Sequence, residues 1–600
     1  MAFEQITPDF GNWIFGASVL LILRLCLVAA GLGVLGFAVS SARRGPAEGF
    51  YGVARIVASA VRDFSNWSPG RTIAMAMLAM QEAIRRRVLI VFVVFIVLIL
   101  MGGWYLDVKS DHPARLYLSF VLTASNYLVV MLALFMSAFS LPADIKNRTI
   151  YTVVTKPVRP QEIIVGRILG FVAIGTLLLI PMGVISYFFV KRGLSHDHAV
   201  EVDKVVAVSG EGDVVARGET TFDAHHRHTF EMFDNGTGQT DLAMSHWHSI
   251  TKANDGSYQF GPAVGLLQAR NPHFGTLRFK DRAGQDTDKG VNVGDEWSYR
   301  SYIEGGSLAA GIWTFENVTP ERYPDGLDLE FNLSVFRTHK GNIVDGIVGA
   351  FEFRNPNPNA DVQRSERKTF TAVEFRSDKR LVDRKIQIID RENGSVRDGD
   401  LFELVDDGRL ELWITCGERG QYYGMAERDV YILDRDGVFA LNLMKGYVGI
   451  WLQMAIATAI GVMFSTIVSG AVAMMATLSS IVIGFFTKFV IEVATGTQMG
   501  GGPVEALIRI FSQANLQVDL EIGQASTTTV QGIDRVMMTI MTTLAGMLPD
   551  YRALSTAQHV AYGYNIDASL VSIQLLTTFA YVVVFSLIAY FLLKTREVAA

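Results

Sequence analysis

Seven apolar stretches, each long enough for a bilayer-crossing helix, constrain this chain more than any other feature. A hydrocarbon core of about 30 Å needs roughly 20 helical residues. The runs near 13–40, 88–106, 116–141, 169–190, 446–470, 472–496 and 569–593 meet that length. Composition agrees: half of the 600 residues are apolar and 19% are charged, below the roughly 25% of soluble domains. The first run is too long for the apolar part of a signal peptide and no small-residue cleavage site follows it, so 1–41 reads as an additional anchor. A net charge of −6 argues against a nucleic-acid partner. Cys26 falls in an apolar run and Cys416 in a polar one, so no mutual disulfide is expected.

Basic residues set the expected orientation. Residues 41–87 hold eight Arg, among them Arg85, Arg86 and Arg87, and 142–170 holds Lys146, Arg148, Lys156, Arg159 and Arg167 against Asp144 and Glu162. Lys594 and Arg596 follow the last run. Basic loops belong on the cytoplasmic side, which puts 42–87, 142–168 and the tail inside and the amino terminus outside. Seven spans then leave 191–445, with 31 Lys/Arg and 42 Asp/Glu, and the smaller block 497–568 outside.

The block 191–445 reads as β. Leu327–Val335 alternates apolar and polar, Leu410–Cys416 does much the same, and further strands are expected near 296–303, 311–316, 348–354, 370–376 and 429–434. Asp325-Gly326, Asn393-Gly394, Asp407-Gly408 and Asp436-Gly437 supply turns. No internal repeat stands out. The expected class is a polytopic α-helical membrane protein of about seven spans, with an inserted, mainly β, sandwich-like extracytoplasmic domain.

Two amphipathic helices are expected in 42–87. Phe50, Val53, Val57 and Phe64 share the first stripe; Ser68-Pro69 opens the second, whose stripe Ile73, Met77, Met80 and Ile84 ends at the three Arg. The second can lie in the headgroup plane or pack on cytoplasmic protein. In 142–170, Pro157 and Pro160 punctuate the loop, and a short helix from Gln161 runs on into the next span. A matching helix over 530–548 is expected in the outer block.

In order and spacing these parts resemble the permease subunit of a type-2 ABC transporter over 69–190 and 446–595. The resemblance rests on an interfacial "elbow" helix with Arg71, Arg85, Arg86 and Arg87, two spans, and a basic coupling segment. In that segment stand Asp144, Arg148-Thr149, Lys156-Pro157, Arg159-Pro160, Glu162 and Gly166-Arg167. Asp144 replaces the usual Glu, Arg148 the Gly before Thr, and Arg167 the usual Lys. The anchor 1–41 and the insertion 191–445 are additions to the family pattern. The resemblance implies a second permease copy, lipid contact, and a separate ATPase subunit carrying ATP and Mg. Agreeing with that, the chain has no G-x-x-x-x-G-K-[ST] phosphate loop of its own. The expected function is an ATP-driven exporter's permease, without enzymatic activity of its own. The alternative is a membrane-anchored surface receptor or binding protein whose β-domain binds a ligand or an envelope partner.

Other polar signals have two readings each. Arg24 in the first run lines an interface or snorkels. Lys488 and Glu492, four apart, mark a polar path or a self-neutralising pair. Asn126 and Gln453 join that path or serve as interhelical hydrogen-bonding groups. Gly31-Leu-Gly33-Val-Leu-Gly36 matches a dinucleotide pattern but has no strand before it, so it reads as helix packing. Seven of the 11 histidines fall between 196 and 248. His226 and His228, facing His246 and His248 across a hairpin, would offer four imidazoles to zinc or copper; surface histidines are the commoner explanation, so no bound cofactor is expected.

Overall fold

The computed structural model describes residues 10–595, apart from 86, 107–111, 148–157, 209–213, 242, 245, 254–255, 292, 294–299, 339–345, 374–377, 391–394, 496–500 and 514–522. Of the residues singled out above, Arg86, Arg148, Thr149, Lys156, Pro157, Asn393, Gly394 and Arg596 lie outside this set, as do residues 296–299 of the expected strand 296–303.

The helices are α1 (Phe10–Arg44), α2 (Pro46–Ser65), α3 (Pro69–Arg85), α4 (Ile90–Tyr105), α5 (Pro113–Lys146), α6 (Pro160–Gly193), α7 (Phe439–Ser465), α8 (Gly470–Phe485), α9 (Thr487–Ala494), α10 (Pro503–Ser512), α11 (Gln524–Met547), α12 (Ala557–Ala561) and α13 (Ala568–Thr595). Prolines open α2, α5, α6 and α10, where a missing N–H costs nothing. Among the described residues, five helices are long and apolar enough to cross a membrane, or up to seven if the bent pairs α3/α4 and α8/α9 each count as one span. This is a membrane protein. Each of the seven expected runs falls on one of these helices or pairs.

The break in the long run 446–496 comes earlier than expected. Thr466–Val468 leave the helix and Ser469 precedes α8; a second break at Phe486 bends α8 from α9 by 57°. Apolarity alone conceals both breaks, because no charge or proline marks them. The break between α3 and α4 is marked: Arg87 takes a left-handed φ of 58°, and the two axes diverge by 56°.

Two compact units result. One comprises 268–439 with 563–565, and its strands form three sheets. In the largest, Ile347–Arg354, Leu410–Cys416, Ala310–Phe315 and Thr276–Lys280 pair antiparallel in that order. In a four-stranded sheet, Gly326–Phe331 lies between Asp378–Asp383 and Val430–Asp434. Trp313, Phe315, Leu329, Phe331, Phe351, Phe353, Leu412 and Ile414 share one core. The alternation of 327–331 holds in part: Leu327, Leu329 and Phe331 are buried and Asp328 is not, but Glu330 is buried too, paired with Arg270.

The other unit holds the helices and a separate six-stranded meander, β1 (Val206–Ala207), β2 (Val214–Glu219), β3 (Thr229–Phe233), β4 (Thr237–Thr240), β5 (Ser249–Lys252) and β6 (Tyr258–Phe260). The polar block 191–445 is therefore divided at 267/268. Within the helical part α7 is central, with 78% of its most apolar window buried against none for α1, whose apolar surface is left to lipid.

Candidate functional site

Helix α6 carries a cluster of polar residues at each end. Its 34 residues span about 51 Å.

At the first turn, the Glu162 carboxylate is fully buried and accepts four hydrogen bonds. Arg71 gives two, Nε to Oε2 at 2.8 Å and Nη2 to Oε1 at 2.7 Å. The backbone N–H of Ser68 gives a third at 2.9 Å, and that of Arg159 a fourth at 3.0 Å. One carboxylate thus caps α6 and holds the start of α3, in the bidentate geometry that suits a guanidinium. Beside it, Asp63 of α2 accepts from Arg159 Nη1 at 3.0 Å, from the Tyr590 hydroxyl at 2.7 Å, and from Lys594. Gln161 donates to the Asp63 carbonyl at 2.6 Å. Elements α2, α3, α6 and α13 are tied together here.

One turn further on, α6 and α3 touch backbone to backbone. A Cβ on Gly166 would lie 2.5 Å from Met75 Cβ, and one on Gly170 would lie 2.5 Å from the Ala76 carbonyl oxygen. Only glycine permits this approach. Arg167, read from the sequence as a cation offered to a partner, is instead 4% exposed. It bonds Asp144 and Ser140 and lies 3.8 Å from Glu82. The reason is physical: a buried guanidinium needs carboxylates, and α3 and α5 supply them. Arg85 and Arg87 are exposed.

The remaining polar candidates do not form one path. Arg24 interacts electrostatically with Tyr581 of α13. Lys488 and Glu492 pair along α9 at 3.7 Å. Gln453 is buried in α7. Asn126 Oδ1 in α5 is buried without a hydrogen-bond partner among the described residues. They stand on four different helices. Between α6 and α7 runs an apolar cleft of about 630 Å³, walled by Leu179, Val184, Phe188, Leu443, Tyr447 and Trp451.

At the far end of α6 the chain turns directly into the histidines. The expected hairpin does not exist: β3 and β5 are separated by β4, and each His-x-His pair lies in the chain leading into the sheet or one of its strands. All four named histidines nonetheless converge, and His196 and His198, which sequence reasoning left out of the set, join them. Nε2 atoms approach at 2.9 Å (His196/His246), 3.2 Å (His198/His226, His226/His246 and His196/His248) and 3.3 Å (His228/His246). His228, His246 and His248 are at most 1% exposed.

The other ring nitrogen of every histidine faces a carbonyl. In the first His of each pair, Nδ1 donates to the carbonyl two residues earlier: Leu194, Ala224 and Met244. In the second His, Nδ1 donates to Thr221, Asp241 and Gly261. A carbonyl only accepts, so Nδ1 carries the proton and Nε2 presents a lone pair. Burial first, and the neighbouring imidazoles second, push His246 down to about 3 and His228 to about 4; His198, His226 and His248 are lowered likewise. These rings are neutral at pH 7.

An internal repeat, unnoticed in the sequence, underlies this. Gly218, Thr220, Ala224, His226, His228 and Phe230 recur twenty residues on as Gly238, Thr240, Met244, His246, His248 and Ile250. Thr220 Oγ1 accepts from the His228 N–H and Thr240 Oγ1 from the His248 N–H. Ala224 and Met244 both take φ of 45°. His196, His198 and Val200 begin a third copy, offset by thirty residues because a longer hairpin follows it.

Comparison with family models, with curated proteins and with solved structures found no match.

Proposed function

We propose that this chain is the permease subunit of an ATP-driven exporter of the type-2 ABC kind, moved by a separate ATPase that binds the basic segment 142–168. The observation that carries this reading is the junction at the head of α6. A push delivered to 147–159 reaches α6 through its capped first turn. It reaches α3 through Glu162–Arg71 and the Gly166/Gly170 contact, and α2 and α13 through Asp63. In this reading α3 is the interfacial elbow, bent away from span α4, and the apolar cleft beside α6 and α7 faces lipid or an acyl cargo. A second permease copy completes the transporter.

The test is co-purification of the tagged chain from its native membrane. A nucleotide-hydrolysing subunit should accompany the wild type and be lost on joint reversal of Lys146, Arg148 and Lys156 to Glu. Arg167 is left intact because its buried ion pairs are structural. An ATPase recovered equally with both proteins, or with neither, contradicts the proposal.

A further inference from the structure

We propose that His196, His198, His226, His228, His246 and His248 bind one divalent first-row transition-metal ion, six-coordinate, as the structural centre of the β1–β6 sheet. This does not depend on the transporter reading.

The arrangement of the rings carries the proposal. Each ring stands edge-on to the others with centroids 4.7–5.3 Å apart, except for one partner. The excepted pairs are His196/His228, His198/His246 and His226/His248. Six points so related are the corners of an octahedron, and those pairs are its diagonals. Five of the twelve edges, 2.9–3.3 Å between Nε2 atoms, place the centre about 2.2 Å from those corners, close to a metal–imidazole bond. Two of the three diagonals, His196/His228 and His198/His246, agree: the ligand atoms of His196, His198, His226, His228 and His246 all lie within 4.8 Å of one another.

Without a cation this arrangement is unfavourable. Six lone pairs converge in a buried space, and every ring's proton is already committed to a carbonyl. A cation turns each repulsion into a bond. The Nδ1–H···O=C contacts are the outer-shell bonds that orient ligating imidazoles, and Asp241 adds a carboxylate oxygen 3.4 Å from His228 Nδ1.

The donor set names the class. Ca²⁺ and Mg²⁺ want oxygen, whereas imidazole suits the later first-row metals. Six equivalent nitrogens suit Ni²⁺, Co²⁺ and Fe²⁺ better than tetragonal Cu²⁺, and affinity should rise from Fe²⁺ through Co²⁺ to Ni²⁺. Six protein ligands leave no position for water or substrate, which marks a structural centre rather than a catalytic one or a cargo site.

The sheet also needs such a staple. Its own core is Phe230, Met232 and Ile250, with Val200, Val205, Ala216, Tyr258 and Phe260 partly buried around them. A segment of roughly 70 residues with so small a core is typically held by disulfides or a metal. Both cysteines lie elsewhere in the chain and are free.

The test uses the full-length protein in detergent, stripped by chelator and titrated with Ni²⁺ and, separately, Co²⁺. One ion per chain is expected, with the weak d–d absorption of six-coordinate Co²⁺. The double variant His228→Ala/His246→Ala should lose binding by more than the ~10–100-fold that loss of an outer-shell partner costs; His225→Asn, outside the cage, should keep it. Hydrogen exchange within 196–264 should slow on Ni²⁺ addition in the wild type alone. Absence of stoichiometric uptake by the wild type overturns the proposal. So does equal uptake by the double variant, or the intense absorption of four-coordinate Co²⁺. The wild-type titration and spectrum decide the matter even if the double variant fails to fold.

Discussion

The two ends of α6 solve opposite electrostatic problems. At its head, every buried charge has its counter-charge within the chain: Glu162 has Arg71, Arg167 has Asp144, and Asp63 has Arg159 and Lys594. At its tail, six rings aim lone pairs at one point and no cation among the described residues answers them. The first has its charges paired as folded, with only Gln161 Oε1 and Arg167 Nε buried without a hydrogen-bond partner among the described residues. The second is complete only with an ion. The difference shows how to separate a structural polar cluster from a ligand site: whether the donors and acceptors balance matters more than how many polar groups are gathered.

Disrupting the tail should have the largest effect. Chelation, or His228→Ala/His246→Ala, should abolish protection of 196–264 in hydrogen exchange while the spans stay protected. Folding free energies of order 10 kcal/mol attach to structural metal centres in small domains. At the head, Glu162→Ala should destabilise the helical unit by about 3 kcal/mol, the lower end for breaking a buried pair. The reason is that Arg71 is one-third exposed and can rehydrate. Thermal unfolding in detergent reads this loss, and Glu162→Gln, which keeps the hydrogen-bonding shape, should recover part of it. Gly166→Ala, which needs 2.5 Å between Cβ and Met75 Cβ, should cost about 1–3 kcal/mol by overpacking. It should also reduce cross-linking between cysteines placed on α3 and α6. The smallest effect belongs to the exposed cross-strand pair Arg217–Glu231, 2.9 Å apart in the metal-site sheet. Arg217→Ala should shift stability by less than about 1 kcal/mol and leave metal binding unchanged.

The sequence declared its helices well and its sites unevenly. Apolar runs of bilayer length locate α1, α5 and α13 closely, because no other element can satisfy their backbone in lipid, whereas α6 and α7 begin well before their runs, at Pro160 and Phe439. Alternation marks 327–331 and 410–416 as strands, although Glu330 and Glu411, read as exposed positions, are buried beside Arg270 and Arg278. The head of α6 was half legible: Pro160, Glu162 and Gly166 stand out locally, but their partners Arg71, Ser68 and Met75 lie some ninety residues earlier, and no local pattern announces that pairing. Arg167 shows the cost, since a basic residue near a membrane edge reads as a surface cation until α5 and α3 are folded over it. The histidines were visible as pairs, yet the twenty-residue repeat was not. Its turns use Ala224 and Met244 rather than glycine at positive φ, and the offset of the first copy hides the period. His196 and His198 follow a span directly, where they pass for a juxtamembrane linker.

X-ray absorption at the nickel edge, on Ni²⁺-loaded full-length protein, tests the contrast between the two ends most directly. The account predicts a single shell of six nitrogen scatterers about 2.2 Å from the metal, with the outer-shell signature of imidazole rings. A four-coordinate shell, or one dominated by oxygen, would contradict it.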